Sequence, residues 1–510
     1  MTMPGIQKSW HRLPPEIRIQ ILRSLLAQDG YSMAHYAAVS REWQAVIEPH
    51  NFARIKLTPS RIDHFGHMVY RNRAFVRYIW LCLELQEYDC YMCAPIDPVS
   101  RGFRTTDSAI IMVALFDVFS ALSRWEPTGS LQLDISVYSP SDSEHWFKYL
   151  TFEPDKPPQE CDRRRRVERS IRYRCDDWQH GWRGGRRRFP PDRWAIHYLY
   201  NEIMANGPFG DDQQELKYWE HLPLAPAVTS VLLRQQSRRR WKPLALACMF
   251  VRLPRLREVH YEPWREWFHA QQDTTDESLR SLLEPLTSSH VRRLVLFENF
   301  CPQYLLDFSN CDPVRGSTLV VSRAVASASL MLEHLSASFM VDASQFFAAC
   351  EPSWRWINLT WLALTSRLLT PDQDPEKIDD TLRAAAAAAM NMPKLETMEI
   401  WNGLEGLAMV FRYKRARERE PAVVTVRGTW ELALCPDAVT AWEGVALMHC
   451  CDGCVLEKEL MDAAAVTSHG DAIHYLRLSN PVIRPISLEQ IRMEQRIRDG
   501  VLRVDGRHVF

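Results

Sequence analysis

A chain of 510 residues has room for about two to four domains. With 46% hydrophobic and 11% aromatic residues it carries enough apolar volume for packed cores, which excludes wholesale disorder. Its 62 basic and 63 acidic side chains leave a formal net charge of −1, so the molecule as a whole has no field that selects nucleic acid or an anionic membrane.

The first residues lack the ordered charged start, apolar run and small-residue cleavage site of a secretory signal. The best apolar run lies within Ala109–Leu122; it is short for a membrane span and carries Asp117. Thirteen scattered cysteines, an odd number, suit free thiols in a reducing compartment better than a disulfide framework. The expectation is an intracellular protein, cytoplasmic or nuclear, with no membrane partner.

In chain order, Pro14 and Pro15 precede a stripe of Ile17, Ile21, Leu22 and Leu25 at helical spacing. Proline is tolerated there because the first N–H groups of a helix have no intrahelical partner. Asp29-Gly30 breaks the pattern, and two short helical pieces follow, Ser32–Val39 and Ser40–Ile47, the second capped by Ser40 with Trp43 on its apolar side. Three helices in so few residues make too small a core to stand unaided.

Leu13-Pro14-x-Glu16-Ile17-x-x-x-Ile21-Leu22-x-x-Leu25, followed by Val39-Ser40-Arg41-x-Trp43, resembles an F-box motif, a three-helix module. The resemblance implies docking on the Skp adaptor of a cullin–RING ubiquitin ligase through Leu13, Pro14, Ile17, Ile21, Leu22, Leu25, Val39 and Trp43. It departs from the family at Asp29–Ala38, where Gly30-Tyr31-Ser32-Met33-Ala34 replaces the usual leucine-bearing stretch.

Beyond the module, Phe75–Leu83 alternates like a strand, Asp107–Ser123 reads as a largely buried helix, and Leu131-x-Leu133-x-Ile135-x-Val137 alternates again. This rhythm favours parallel strands with helical crossovers. One short pattern then recurs: an aliphatic residue, two others, a second aliphatic, one other, a third apolar position. Its copies are Val228/Val231/Leu233, Leu256/Val259/Tyr261, Val291/Leu294/Leu296, Leu332/Leu335/Ala337, Leu359/Leu362/Leu364 and Leu395/Met398/Ile400, with Val76/Ile79/Leu81 as an early one. Each gap has room for a helix. Thr274-x-x-Glu277 reads as a capping box, Asp374-Pro375 as a cap followed by proline at the first helical position, and Ser487-x-x-Gln490 as the cap of an exposed C-terminal helix.

These copies resemble a degenerate leucine-rich-repeat array, of the kind that often follows an F-box. The fold class expected is α+β or α/β, an irregular αβ solenoid, with a compact αβ domain as the alternative. The expected divisions are 1–52 for the helical module, 53–150 for the first αβ repeats, 151–195 for an arginine-rich and mobile insertion, 196–485 for further repeats and 486–510 for a C-terminal helix and tail. Pro191–His197, Tyr261–Trp267 and Leu296–Phe300 also resemble F-box proteins of filamentous fungi.

Residues 161–193 hold twelve arginines against five acids. Arg163, Arg164, Arg165, Arg166, Arg186, Arg187 and Arg188 make a candidate phosphate-binding or import segment, weighed against a solvated insertion. Arg238-Arg239-Arg240 reads as a solvated end. Cys90-x-x-Cys93 and His449-Cys450-Cys451-x-x-Cys454 lie far apart with no second zinc-ribbon pair, so they read as free thiols and no metal is assigned. Tyr261, Trp264, Arg265 and Trp267 form the candidate substrate face. No phosphate loop, dinucleotide fingerprint, nucleophile elbow or zinc-protease motif is present, and no catalytic residue or cofactor is assigned. The expected function is the non-catalytic substrate-recognition subunit of a Skp–cullin–F-box ligase with an unidentified target. The alternative is a nucleic-acid or chromatin binder using the arginine segment, with the first helices as a cap.

Overall fold

The computed structural model describes residues 10–498 apart from 27–33, 97–104, 128, 156–175, 185, 205–207, 210, 268, 289, 308–315, 417–420 and 450–452. Among the described residues the fold is mixed α/β, with fourteen helices and one sheet of twelve strands. The chain opens on helices α1 (Pro15–Leu26) and α2 (Arg41–Ala53), then lays down strand β1 (Arg54–Leu57), helix α3 (Pro59–Met68), β2 (Tyr78–Glu84), α4 (Thr105–Leu122) and β3 (Leu131–Tyr138). Next come α5 (Arg193–Leu199), α6 (Asp212–His221), β4 (Val228–Leu233), α7 (Pro243–Val251), β5 (Glu258–Tyr261), α8 (His269–Leu283) and β6 (Arg293–Phe297). They are followed by α9 (Leu319–Ser329), β7 (His334–Asp342), α10 (Ala343–Ala349), β8 (Trp361–Thr365), α11 (Pro375–Ala389), β9 (Thr397–Leu404), β10 (Leu407–Lys414) and β11 (Ala422–Gly428). The last elements are α12 (Pro436–His449), β12 (Cys454–Leu460), α13 (His469–Leu476) and α14 (Pro485–Arg498).

The strands lie in the sheet in the order of the sequence. From β1 through β9 every pairing is parallel; β10 reverses, β11 reverses again, and β12 is parallel to β11. The register stacks the recurring apolar positions on one another. Ile55, Ile79, Leu133, Val231, Val259, Leu294, Leu335, Leu362 and Met398 form one unbroken cross-strand row. All are buried in the core between the sheet and the crossover helices. From α7 to α12 each of these helices packs against its successor, so the helices line one face of the sheet in chain order. Such a face needs apolar residues only at alternate strand positions, which is why the pattern is visible in the sequence.

Several local expectations need correction. The second helical piece of the module is a 3-10 turn, Ala34–Ala38, so the described residues there form two α-helices and a short turn. Ser40 does cap α2, accepting from the Trp43 N–H. Thr274 and Glu277 lie inside α8, which begins at His269. Ser487 lies inside α14, and that helix is not exposed: Ile486, Gln490, Ile491, Arg492, Glu494 and Ile497 are buried. The helix α4 is long and apolar enough to cross a membrane by length and composition. Its Ile111, Leu115, Val118, Phe119 and Leu122 instead fill the core behind β2, as expected of a crossover helix.

Leu335 sits within the row between Leu294 and Leu362, fully buried. Leu335→Ala is therefore expected to cost about 2–5 kcal/mol through lost apolar burial and the cavity left behind. Urea unfolding followed by tryptophan fluorescence measures it, and a loss below about 1 kcal/mol would mean that the site collapses freely.

Candidate functional site

The motif residues near the N-terminus divide between two directions. Leu22 and Ile47 are fully buried. Arg18 in α1 pairs with Glu42 in α2 at 3.2 Å, and Trp43 packs against Trp10 and Tyr36 with ring centroids 5.5 and 5.9 Å apart. These contacts close the two helices on each other. One side of α1 stays uncovered, with Ile17 41% and Ile21 43% exposed; Val39, after the 3-10 turn, is 59% exposed. Pro14 is exposed too, and Leu13, Leu25 and Trp43 are half-buried. Ile17, Gln20, Ile21, Ser24 and Leu25 line an open depression of about 430 Å³.

The candidate substrate face is not a surface. Tyr261, Trp264, Arg265 and Trp267 are all at least nine-tenths buried. Tyr261 belongs to the core under the helices, whereas Trp264 and Trp267 pack across the sheet with Tyr200 and Tyr304, at centroid distances of 5.0 Å for Trp264–Tyr200 and 5.6 Å for Trp267–Tyr304. Large aromatic rings at strand ends were needed for packing, and burial was their stronger claim.

The arginines divide likewise. Arg163, Arg164, Arg165 and Arg166 lie outside the described residues. Arg186 and Arg187 pair in a two-residue ribbon with Trp182-Arg183, and both are half-buried; only Arg188 of the three is exposed. Arg187 donates to the Tyr149 hydroxyl at 3.2 Å and to the Phe189 carbonyl at 2.8 Å. The insertion expected to be mobile is thus built into the fold over its described part, with His180 and Trp182 buried. Arg238, Arg239 and Arg240, read as a solvated end, are buried and neutralised by Glu494, Asp142 and Glu266 respectively. Their partners are distant in sequence, so the local charge run gave no hint of them.

These arginines belong to a buried polar network on the sheet face opposite the helices. Arg234 meets Asp134 at 2.7 Å. The Glu262 carboxylate accepts from the Arg484 backbone N–H at 2.7 Å, from the Ser487 hydroxyl at 2.6 Å and from the Gln235 N–H at 3.1 Å. The Gln235 amide donates to the Ser487 carbonyl at 3.2 Å and its oxygen accepts from Asn299 and Arg238, each at 3.0 Å. A carboxylate at the start of α14 also complements the helix dipole. Sheet and C-terminal helices come together closely: a Cβ on Gly403 would overlap Ala472 of α13. Glu399 on β9 accepts from Arg412 at 2.6 Å, from Trp361 at 3.1 Å and from the Ser479 N–H at 2.9 Å.

Two thiols and two imidazoles meet away from this network. Cys90 Sγ lies 3.5 Å from His145 Nδ1, and Cys93 Sγ lies 3.4 Å from His180 Nε2. Burial pushes the Cys93 thiol up to about 11 and the His180 imidazole below its ordinary value, the latter against the Asp177 carboxylate.

His469 of α13 donates through Nε2 to Asn299 at 2.9 Å and stacks on Phe300. Burial first, and Arg498 second, push its pKa down to about 3, against Asp471. In the unfolded chain the same imidazole protonates near pH 6.5, so the unfolded state binds the extra proton first as pH falls. Stability is therefore whole above that pH and is lost on acidification toward about 3. Replacing His469 with Gln keeps the donor without the titration, and should flatten the stability–pH profile between about pH 6 and 4 by ~1.4 kcal/mol per unit. Thermal melts across that range measure it, and an unchanged slope would refute the assignment.

The model of a family of unknown function, DUF6546, matches residues 285–484, less than half of the chain. The match begins just after α8, ends at the residue before α14, and does not reach the N-terminal helices. No curated protein matches the chain at a significant level.

Proposed function

We propose that the chain is a substrate-recognition subunit of a Skp–cullin–F-box ubiquitin ligase, docking on the Skp adaptor through its first two helices. The observation that carries this reading is that Pro14, Ile17, Ile21 and Val39, from both halves of the motif, are exposed while Leu22 and Ile47 turn inward. An apolar surface of this kind gains free energy when a partner covers it. No residue of the chain needs to react. Cullin–RING partners would carry the transfer, and the receptor would raise the effective concentration of target lysines near loaded ubiquitin.

For the remainder we propose a degenerate leucine-rich-repeat-like solenoid. Strands in chain order, parallel from β1 to β9, and helices side by side on one face support it. On the opposite face the chain's own α13 and α14, with the residues around Tyr149, Phe152 and Tyr200, pack over the sheet, so the proposed target surface lies elsewhere. The best remaining surface is the depression of about 520 Å³ lined by Trp146, Trp178, Phe189 and Arg193. Trp178 is 63% and Phe189 59% exposed there, and Arg183 sits over the Trp178 ring. Exposed aromatic and arginine side chains together are typical of binding hot spots.

Ile17→Glu with Ile21→Glu tests the docking surface without disturbing the interior. Adaptor capture by the purified full chain should fall at least tenfold while the melting temperature stays unchanged. Undiminished capture by the double variant would overturn the proposed surface, and no capture by the unaltered chain would overturn the function.

A further inference from the structure

The Cys–His cluster joins three stretches that are far apart in sequence. Cys90 and Cys93 sit on a turn after β2, where the Asp89 carboxylate accepts from the N–H groups of Tyr91 and Met92 at 3.0 and 3.3 Å. His145 follows the capped turn Pro140–Ser143 after β3. His180 ends the 3-10 turn Trp178–His180, which precedes the arginine ribbon. The ligand atoms of Cys90, His145 and His180 lie within 4.8 Å of one another, and Cys93 Sγ adjoins the His180 nitrogen.

Both rings are oriented from behind. His180 Nδ1 is 2.8 Å from the Asp177 carboxylate, which Lys148 also pairs at 2.8 Å. His145 Nε2 is 3.3 Å from the Tyr88 carbonyl. Each of these contacts takes a ring N–H, and so turns the lone pair of the other nitrogen toward a thiol. A carboxylate or carbonyl behind an imidazole is the usual outer support of a metal-bound histidine. Two of the sulfur–nitrogen separations agree too, while Cys93 Sγ, which donates to the Cys90 carbonyl at 3.2 Å, stands outside the trio and would turn inward on binding. Zinc–sulfur and zinc–nitrogen bonds meeting at a tetrahedral angle set sulfur and nitrogen about 3.5 Å apart. The two pairs here stand at 3.5 and 3.4 Å.

We propose that Cys90, Cys93, His145 and His180 bind one divalent transition-metal ion of the zinc class as a closed, structural Cys2His2 site. Four protein ligands leave no position open for catalysis. The ion would fasten residues 176–188 to the loops after β2 and β3. Because Trp146, Trp178 and Gly181 line the neighbouring depression, it would also fix that surface. On binding, the two thiols lose their protons to solvent and no redox change occurs.

The test uses the full chain, dialysed against chelator and titrated with zinc alone and with cobalt(II) alone. We expect about one equivalent of zinc per chain, and with cobalt the intense visible bands of a four-coordinate site with thiolate charge transfer. Asp177→Asn, which spares all four ligands, should weaken zinc binding about 10–100-fold. Cys90→Ser, at an exposed position, should diminish the charge-transfer band in a chain that stays folded by circular dichroism. A folded chain that takes up no metal would mean thiol–imidazole hydrogen bonds only, and would overturn the proposal. So would metal content unchanged in Cys90→Ser with Cys93→Ser.

Discussion

A parallel sheet is covered on its faces, because its crossover connections lie on them and its strands carry apolar side chains to each side. In this chain the two faces meet that requirement by different chemistry. The helix side is covered by a repeated apolar row whose members are each supplied by the next strand–helix step. The other side is closed by the stretches around Tyr149, Phe152 and Tyr200 and, late in the sequence, by α13 and α14, over a mixture of aromatic rings and paired charges. Docking those helices completes the cover of that face.

The polar network does not act chiefly as a source of stability. Desolvating Arg234, Asp134, Arg238 and Glu494 costs about as much as their pairing returns, so an apolar replacement of similar shape could stabilise equally well. Its effect is on specificity. Glu262 and Gln235 offer acceptors and donors that the start of α14 meets, and Gln235 reaches Ser487 and Gln490 across 252 and 255 residues of chain. A shift of α14 by one residue would leave several buried groups unpaired, at about 1–3 kcal/mol each. Contacts over such separations also form slowly, which makes the C-terminal helices natural late-docking elements.

What the sequence made legible follows from which interactions are periodic. The row from Ile79 through Met398 repeats because each strand solves the same packing problem, and its residues announced both the strands and their buried side. The first strand was missed although Phe52, Ile55 and Leu57 have the same spacing, because it directly continues α2. The sheet's other face has no period: Asp134, Leu232, His260, Val295, Ser336 and Ala363 succeed one another in register with nothing in common. Charged runs such as Arg238–Arg240 look solvated until Asp142, Glu266 and Glu494 are brought to them. The Trp264–Trp267 segment looked like a contact surface until the aromatic rings of Tyr200 and Tyr304 were set against it. The Cys90–Cys93 pair looked incomplete because its histidines, at 145 and 180, follow no ligand spacing along the chain. The exposed pair Ile17 and Ile21 on α1 was readable from one local stretch, because residues four apart share a helix face.

The central claim is that this surface of α1 and the turn after it meets the Skp adaptor. Hydrogen–deuterium exchange of the full chain, with and without purified adaptor, addresses it most directly. The account predicts protection confined to residues 13–26 and 34–43, with exchange across β1–β12 unchanged. Exchange that does not change in those stretches under saturating adaptor, or protection that falls on the sheet instead, would contradict it.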